Sequence, residues 1–483
     1  MRAPALVTKN EIVELMVEVP QGQVLRYDHA SLCSALGAED DPTRVVVETD
    51  GRRAIVTVYP SNPLAVMPPP TLADMMMDRH GRIVVGRHHN GRPARRRLFD
   101  PVTGSAVRAL VFGTTGAGKS RTVQYTLACE KRNGIISWYG CLKGGQSAPE
   151  AENNVDWDAT SQEEVLLMLR AAVAVAQERQ SRYKALGRNA FVLNQPDRLL
   201  SVRIDEANRG LERGAPYREE MTYLVKELGR TGRSVGVGME LDAQASHLDE
   251  MGGSDTLRAM LKEGEVTLLR WSSSMMQQLV SDGLLPAHER LTPIPKTLRP
   301  RVLRSQFDLV DDDDDDVCDT QGMAYLLSGP RPGSLMRHFR IGSIAPLLGL
   351  DPEILALYGP GEPARLEKSS WDAAGPAYAA RRDPSAMAAQ CQMLREEYTK
   401  AAQATNSRSG GSSGGSKKTR LQDRVVAALT ATDDALTVEE VLDVVNQDGG
   451  REVKPASVRN VLSELADGDD VARVGHGLYA LAR

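Results

Sequence analysis

The chain has 483 residues, 41% hydrophobic and 25% charged, which is enough apolar content for about three domains with cores of their own. Aromatic residues make up only 4%, which argues against a surface that reads single strands by stacking bases on rings. The formal net charge is −5, but the run Asp311 to Asp316 accounts for all of it, so the acidic total does not exclude a nucleic-acid partner.

Cys33, Cys129, Cys141, Cys318 and Cys391 are scattered, with no C-x-x-C pair and no His at metal-ligand spacing. That fits a reducing compartment. The N-terminal MRAPALVTKNEIVELM meets charge too early for a secretory leader. No run approaches the roughly 18 uninterrupted apolar residues of a membrane span. The chain is expected to be cytoplasmic, resting at most peripherally on the inner face of the cell membrane.

Residues 1–70 read as a small α+β region, with a helical pattern at Glu11–Val19 and a hairpin from the alternating runs Arg44–Thr49 and Arg53–Tyr59. Pro60, Pro63, Pro68, Pro69 and Pro70 then form a linker. Arg79–Arg108 is basic, and RIVVG with HHNGRPARRRLF predicts another hairpin. Its arginines are either solvated or an electrostatic surface for a duplex; His80, His88 and His89 read as surface residues. From Ala106 onward, strands (Ala109–Phe112, Gly134–Tyr139, Leu199–Ile204, Val235–Leu241, Val266–Trp271) alternate with helices (Ser120–Lys131, Ser161–Leu186, Arg218–Gly229). The alternation predicts an α/β unit with a parallel sheet and crossover helices over residues 71–345. Asp311–Asp316 reads as a solvated loop near its end, because consecutive residues cannot all turn toward one ion. A helical extension (346–405), a flexible Gly/Ser linker (Asn406–Lys418) and a compact unit (419–483) come next.

The strongest chemical signal is Gly113-Thr-Thr-Gly-Ala-Gly118-Lys119-Ser120, which fits G-x-x-x-x-G-K-[ST] between an apolar strand and a helix. Glycines let backbone N–H groups converge on phosphate oxygens, and the helix N-terminus adds favourable partial charge. The expected ATP-binding set is Gly113, Thr114, Thr115, Gly116, Ala117, Gly118, Lys119, Ser120 and Arg121. Lys119 would reach the β- and γ-phosphates, and the Ser120 hydroxyl would hold Mg2+. LLSVRIDE ends a later strand on Asp205 and Glu206. Asp205 would bind Mg2+ through water, and Glu206 would polarise the water that attacks the γ-phosphate.

From about Ile83 to Ile341 the chain resembles the FtsK/SpoIIIE family of hexameric double-stranded DNA translocases. The likeness rests on GTTGAGKS, QERQSRYKALGRN (Gln177–Asn189), RIDEAN, LVKELGRTGRSVGVGMELDAQA (Leu224–Ala245) and GMAYLLSG (Gly322–Gly329). It implies a RecA-like P-loop motor in which Gln244 senses the γ-phosphate and Arg233 lies on an ATP-facing or subunit-facing turn. Departures are visible. The family's Asp-Pro-Lys is Cys141-Leu142-Lys143, keeping only the lysine. Its Ala-Thr-Gln-Arg is Asp242-Ala243-Gln244-Ala245, and its Asn-Ile-Pro-Thr-Arg stretch is Lys262-Glu263-Gly264-Glu265-Val266. Arg270 and Arg258 are then the candidates for the arginine offered to the next subunit. The architecture looks most like the TraB-type transfer proteins of actinobacterial conjugative plasmids, which implies transfer of double-stranded plasmid DNA, short repeated recognition sites, and other transfer proteins as partners at the membrane.

In residues 419–483, Leu421, Val425, Val426 and Leu429 share one helix face. Thr437 with Glu440 makes a capping box, and Pro455 opens a third helix with Val458, Val461, Leu462 and Leu465 as its stripe. Two strand-like pieces, Asp470–Val474 and Leu478–Leu481, complete a winged helix-turn-helix pattern. Lys454, Ser457, Arg459 and Asn460 would face base edges, with Arg473 and His476 on the wing and Lys417, Lys418, Arg420 and Arg424 near phosphates. The rival use of such a unit is docking a protein. Two rival functions also remain: an ATP-gated DNA-binding regulator that does not translocate, and the coupling ATPase of a secretion-type conjugation system.

Overall fold

The computed structural model describes residues 11–38, 42–243, 252–270, 291, 293–294, 296–298, 318–328, 333–343, 345, 347–410, 421–430, 435–447, 453–467, 471–475 and 478–481. Internal packing divides the chain into two units, Met1–Glu396 and Glu397–Arg483. The run Asp311–Asp316 lies outside the described residues.

The first unit opens with β1 (Val13–Glu18), α1 (His29–Ala35), β2 (Val45–Asp50) and β3 (Arg53–Val58), the strands forming an antiparallel sheet in the order β1-β3-β2. The expected hairpin is β2–β3. The helix expected at Glu11–Val19 is instead strand β1, paired from Val13↔Val58 to Glu18↔Arg53. Val13 and Leu15, two apart, pack on a small core of Cys33, Ala38, Val45, Val56 and Val58. A partner strand and alternate β-branched residues outweigh the local helical pattern. The proline-rich stretch runs without regular structure to α2 (Leu72–Met75), which starts with a Thr71–Asp74 capping box.

The main sheet is built from β4 (Arg82–His88), β5 (Pro93–Arg97), β8 (Arg108–Gly113), β9 (Ile136–Cys141), β10 (Trp157–Ala159), β11 (Leu200–Asp205), β12 (Val237–Ala243), β13 (Glu265–Leu269), β16 (Met323–Leu326) and β17 (Met336–His338). Two short pairs stand apart from it: β6 (Phe99–Asp100) with β7 (Ser105–Ala106), and β14 (Thr297–Leu298) with β15 (Cys318–Asp319). The order is β10-β9-β11-β12-β8-β13-β16-β17-β4-β5. The first six run parallel: five of them are the strands the alternation predicts, and β10 is a short addition at the edge beside β9. The last four are antiparallel, so the sheet is mixed and not purely parallel. Short connections such as the β4–β5 hairpin can join only antiparallel strands.

Helices α3 (Lys119–Arg132), α4 (Gln162–Ala185), α5 (Asn208–Leu211), α6 (Arg218–Thr231) and α7 (Asp255–Lys262) make the connections. In α4, Ser161 caps the first turn through Glu164 N, with Glu163 and Glu164 at the start and Arg182 and Lys184 at the end; the charges complement the helix dipole. Arg179, in the middle of α4, is fully buried and donates to the carbonyls of Val235 and Gly236 at 3.2 Å each.

The arginines of residues 79–108 are largely neutralised at home. Arg82 meets Asp78 at 3.0 Å, Arg87 meets Asp74 at 3.0 Å, Arg97 meets Asp100 at 3.3 Å and Arg108 meets Glu263 at 3.4 Å. Arg96 is buried against Glu240. The hairpin part of this stretch, β4 and β5, forms the end of the main sheet. Of the histidines read as surface residues, His80 is exposed, but His89 is buried with its Nδ1 2.7 Å from the Tyr59 hydroxyl, and half-buried His88 lies against Ser334.

Beyond the sheet come α8 (Pro352–Tyr358), α9 (Lys368–Ala380) and α10 (Pro384–Gly410). Asp156 anchors α9: it takes bonds from Trp138 Nε1 (3.0 Å), the Tyr378 hydroxyl (2.6 Å) and Arg381 Nη2 (2.8 Å). Helix α10 runs through Gly410, so Asn406–Gly410, expected as the start of the linker, are helical; residues 411–420 lie outside the described residues.

The second unit contains α11 (Leu421–Thr430), β18 (Leu436–Thr437), α12 (Val438–Gln447), α13 (Pro455–Asp467), β19 (Val471–Gly475) and β20 (Leu478–Leu481), with sheet order β18-β20-β19. Val425, Leu429, Val441, Val445, Val458 and Leu462 form its core. The capping box is present: Glu440 Oε2 accepts from Thr437 N at 2.7 Å, and Thr437 Oγ1 accepts from Glu440 N at 3.3 Å. Asn446, near the end of α12, accepts from Val453 N at 2.8 Å and donates to the Val453 carbonyl at 3.3 Å, tying α12 to the start of α13.

Candidate active site

Parallel register sets the site. Cys141 pairs with Asp205, Ala243 with Phe112 and Leu269 with Gly113, so the C-terminal ends of β9, β11, β12, β8 and β13 lie along one edge. Open α/β sheets bind ligands at that edge. The loop from Gly113 to Gly118 leaves β8 here and opens α3 at Lys119.

The glycines are there for shape. Gly116 (φ +74°) and Gly118 (φ +101°) are left-handed, and a Cβ on Gly118 would come within 3.1 Å of Gly322 N. Thr115, Gly116 and Ser120 are exposed on this turn, Thr114 is half-buried, and Ala117 is buried. A narrow loop of small residues followed by an ammonium group fits a polyphosphate.

Lys119 is 8% exposed. Its Nζ lies 3.1 Å from Glu206 Oε1 and 3.5 Å from Asp205 Oδ1. Burial works against its charge, but the carboxylates of Asp205, Asp242 and Glu206 outweigh burial and raise its pKa. Asp205 accepts from Glu206 N at 2.9 Å and from the Tyr139 hydroxyl at 3.4 Å. Glu206 is buried, and its backbone is left-handed (φ +55°). A bulky residue in that conformation stores strain, a trait that concentrates at functional positions. The structure therefore brings Lys119, Asp205 and Glu206 together at the mouth of the loop, with Ser120 starting the helix beside them.

Other expected residues stand differently. Arg121 is engaged by Asp351 at 3.6 Å and by the Ser343 carbonyl at 3.3 Å. Arg270, one of the two arginines considered for a neighbouring subunit, donates from Nη2 to the Thr115 carbonyl of its own loop at 2.7 Å, and its carbonyl accepts from Thr114 Oγ1 at 3.2 Å. Arg233 precedes β12, at the edge of the sheet opposite the loop, so it does not face this chain's own site. Arg258 lies on α7. Gln244 lies outside the described residues.

Sequence reasoning named two further groups, Lys143 as the lysine kept from the family's Asp-Pro-Lys and Asp242 in the stretch leading to Gln244, without giving either a role in the site. Lys143 Nζ lies 2.6 Å from Glu206 Oε1. Asp242, at the end of β12, is fully buried; burial first, then the Glu240 carboxylate, push its pKa well above the ordinary carboxylate range. Both lie where strands neighbouring the acidic strand end. Predicting strand order as well as strand positions would have drawn attention to them. Behind the site, Glu240 pairs with Arg96 and Arg203, and Arg203 reaches Glu130 at 3.3 Å. This buried chain of charges runs from the hairpin edge to α3.

In the second unit, Lys454, Ser457, Arg459 and Asn460 are exposed at the start of α13. Arg473 lies on β19, and His476 lies outside the described residues. Arg424, expected near phosphates, is half-buried and donates to the Val445 carbonyl. Lys417, Lys418 and Arg420 lie outside the described residues.

No family model matches the chain, and no curated protein does. Among solved structures it is similar to the ATPγS-bound monomer form of TcpA, the conjugation coupling protein of pCW3, at 14% identity and a TM-score of 0.43, covering 68% of this chain and 85% of that one. It is also similar to the cytoplasmic domain of the Type VII secretion ATPase EccC of Thermomonospora curvata (17% identity, TM-score 0.41, 63% of this chain and 33% of that one). A third likeness is to ATPases 2 and 3 of EssC from Geobacillus thermodenitrificans (13% identity, TM-score 0.40, 60% and 49%). Among the described residues no helix is long and apolar enough to cross a membrane.

Proposed function

We propose that this chain is an ATP-hydrolysing motor of the FtsK/SpoIIIE kind that assembles as a ring, moves double-stranded DNA, and serves conjugative plasmid transfer. The observation that carries the reading is the meeting of Lys119 with Asp205 and Glu206 at 3.5 and 3.1 Å, beside a glycine loop that opens a helix. A loop that only binds nucleotide needs the lysine; a buried carboxylate at the same spot is what hydrolysis adds.

Lys119 turns from the carboxylates to the β- and γ-phosphates when ATP arrives. Ser120 and Asp205 are the residues that would hold Mg2+, whose chemistry is to neutralise charge on the phosphate oxygens. Glu206 accepts the proton of the attacking water: the water oxygen bonds to the γ-phosphorus, the bond to the β-phosphate oxygen breaks, and ADP and phosphate leave. Gln244 would sense the γ-phosphate, and an arginine from a neighbouring copy would complete the site.

The second unit is read as a winged helix-turn-helix that recognises short repeats on the plasmid. Three helices closed by a small antiparallel sheet support this, as do the exposed Ser457, Arg459 and Asn460 on the third helix and Lys454 just before it. ATP turnover measured with duplex DNA, with single-stranded DNA and with neither tests the whole. Stimulation by the duplex above the other two is the expected result. Phosphate release that ignores duplex DNA, with no displacement of a bound roadblock, overturns it.

A further inference from the structure

We infer that Lys143 is a positioning residue that holds Glu206 off the attacking water until the motor is productively engaged; this rests on the ATPase reading above. Glu206 Oε1 receives two ammonium groups, Lys119 Nζ at 3.1 Å and Lys143 Nζ at 2.6 Å. The two lysines have different prospects. Lys119 belongs to the phosphate loop, and an arriving polyphosphate has more negative charge to offer it than one carboxylate has. Lys143 stands in the turn after β9 and makes the shorter contact. Nucleotide binding removes one holder and leaves the other.

With Lys143 Nζ donating to it at 2.6 Å, Glu206 Oε1 is tied to the turn after β9, and the carboxylate is held in place by that contact. Turnover therefore requires the Lys143–Glu206 pair to open.

The turn is built for such a movement. Lys143 is followed by Gly144 and Gly145, both left-handed (φ +68° and +79°), and a Cβ at Gly144 would meet nothing within 4 Å. The Lys143 side chain is 30% exposed, whereas those of Glu206 and Lys119 are 3% and 8% exposed. The latch can thus be reached from solvent while the base and the loop lysine remain enclosed. The turn is also tied to the short helix just beyond the acidic strand: Arg209 Nη1, on α5, donates to the Leu142 carbonyl at 3.3 Å. A shift of this turn reaches Glu206 at once through Lys143.

The test compares wild type, Lys143→Met, Lys143→Arg and Lys119→Ala in steady-state ATP turnover, with and without linear duplex DNA. Lys143→Met is expected to raise DNA-independent kcat by roughly tenfold, the effect of about 1.4 kcal/mol on the barrier. KM for ATP should stay within about twofold and the stimulation by duplex should shrink. Lys143→Arg, which keeps the cation, should restore low basal turnover. A merely structural role for Lys143 would lower kcat in Lys143→Met or leave the ratio of stimulated to basal turnover unchanged, and either result overturns the proposal. So does a fall to the level of Lys119→Ala, which would make Lys143 a phosphate ligand. Failure of the underlying reading looks different: wild type and Lys119→Ala would then be equally inactive toward ATP.

Discussion

In the proposed reaction Glu206 carries the heaviest chemical load of any single residue, and its environment suits that role. It sits in a strained left-handed backbone conformation at the end of a buried strand, where only a gain elsewhere repays the cost. Glu206→Gln keeps the shape and loses the base. ATP turnover should fall by at least roughly 100-fold, while affinity for ATP, read by fluorescence of a labelled analogue, stays within about threefold. Unchanged turnover would remove Glu206 from the reaction. This part of the site was legible beforehand because it is local: the loop is eight consecutive residues, and the acids end one apolar run. Lys143 and Asp242 were named only as parts of family-like stretches; that they meet the acids depends on strand order, a property of pairing between segments distant in the chain. Arg270 shows the same limit. Its proximity to the loop could be guessed from β13, but not that it would grip its own Thr115 carbonyl.

Among the elements, α9 shows how a helix outside the alternating pattern becomes part of the body. Asp156 takes Trp138, Tyr378 and Arg381 together, and both Asp156 and Arg381 are almost wholly enclosed. Asp156→Ala strands a buried guanidinium, so urea unfolding of the chain should show a loss of about 3–5 kcal/mol; a loss below about 1 kcal/mol would mean that α9 is held by its apolar contacts instead. Strand β10 offers a pH test. Burial first, then the charges of Glu152 and Glu164, raise Asp158 from 3.8 to about 7. The folded state thus binds this proton more tightly than the unfolded chain does, and its stability falls as pH climbs through that window. Asp158→Asn should flatten the change in melting temperature between about pH 4 and about pH 7. An equally steep profile in the variant would assign the slope to other groups. Strand β1 is the counterexample in reading elements: its apolar pattern suits either period, and pairing with β3 decided.

At the scale of the whole molecule, the glycine loop with its acids and the helices proposed to recognise DNA fall in separate units of the chain. Lys119→Ala should abolish turnover yet leave sequence-selective duplex binding by residues 419–483 intact, whereas Arg459→Ala should weaken that binding by about 1–3 kcal/mol and leave basal turnover alone. Band shifts and phosphate release on the same preparations check both; loss of both functions in one variant would contradict the division. Five of the six parallel strands were expected from alternation alone; the short β10 was not. The antiparallel part of the sheet was not, because β4 and β5 read as an independent hairpin and nothing nearby in the chain announces the strand they join.

That junction has a consequence for biogenesis. Strand β4 finds its neighbour β17 only after about 250 further residues have been made, since Arg87 pairs with Arg337. A ribosome delivers the hairpin long before the strand that will cover it, and in the interval its unpaired edge can recruit strangers. Messages truncated shortly before codon 336 should therefore yield insoluble product.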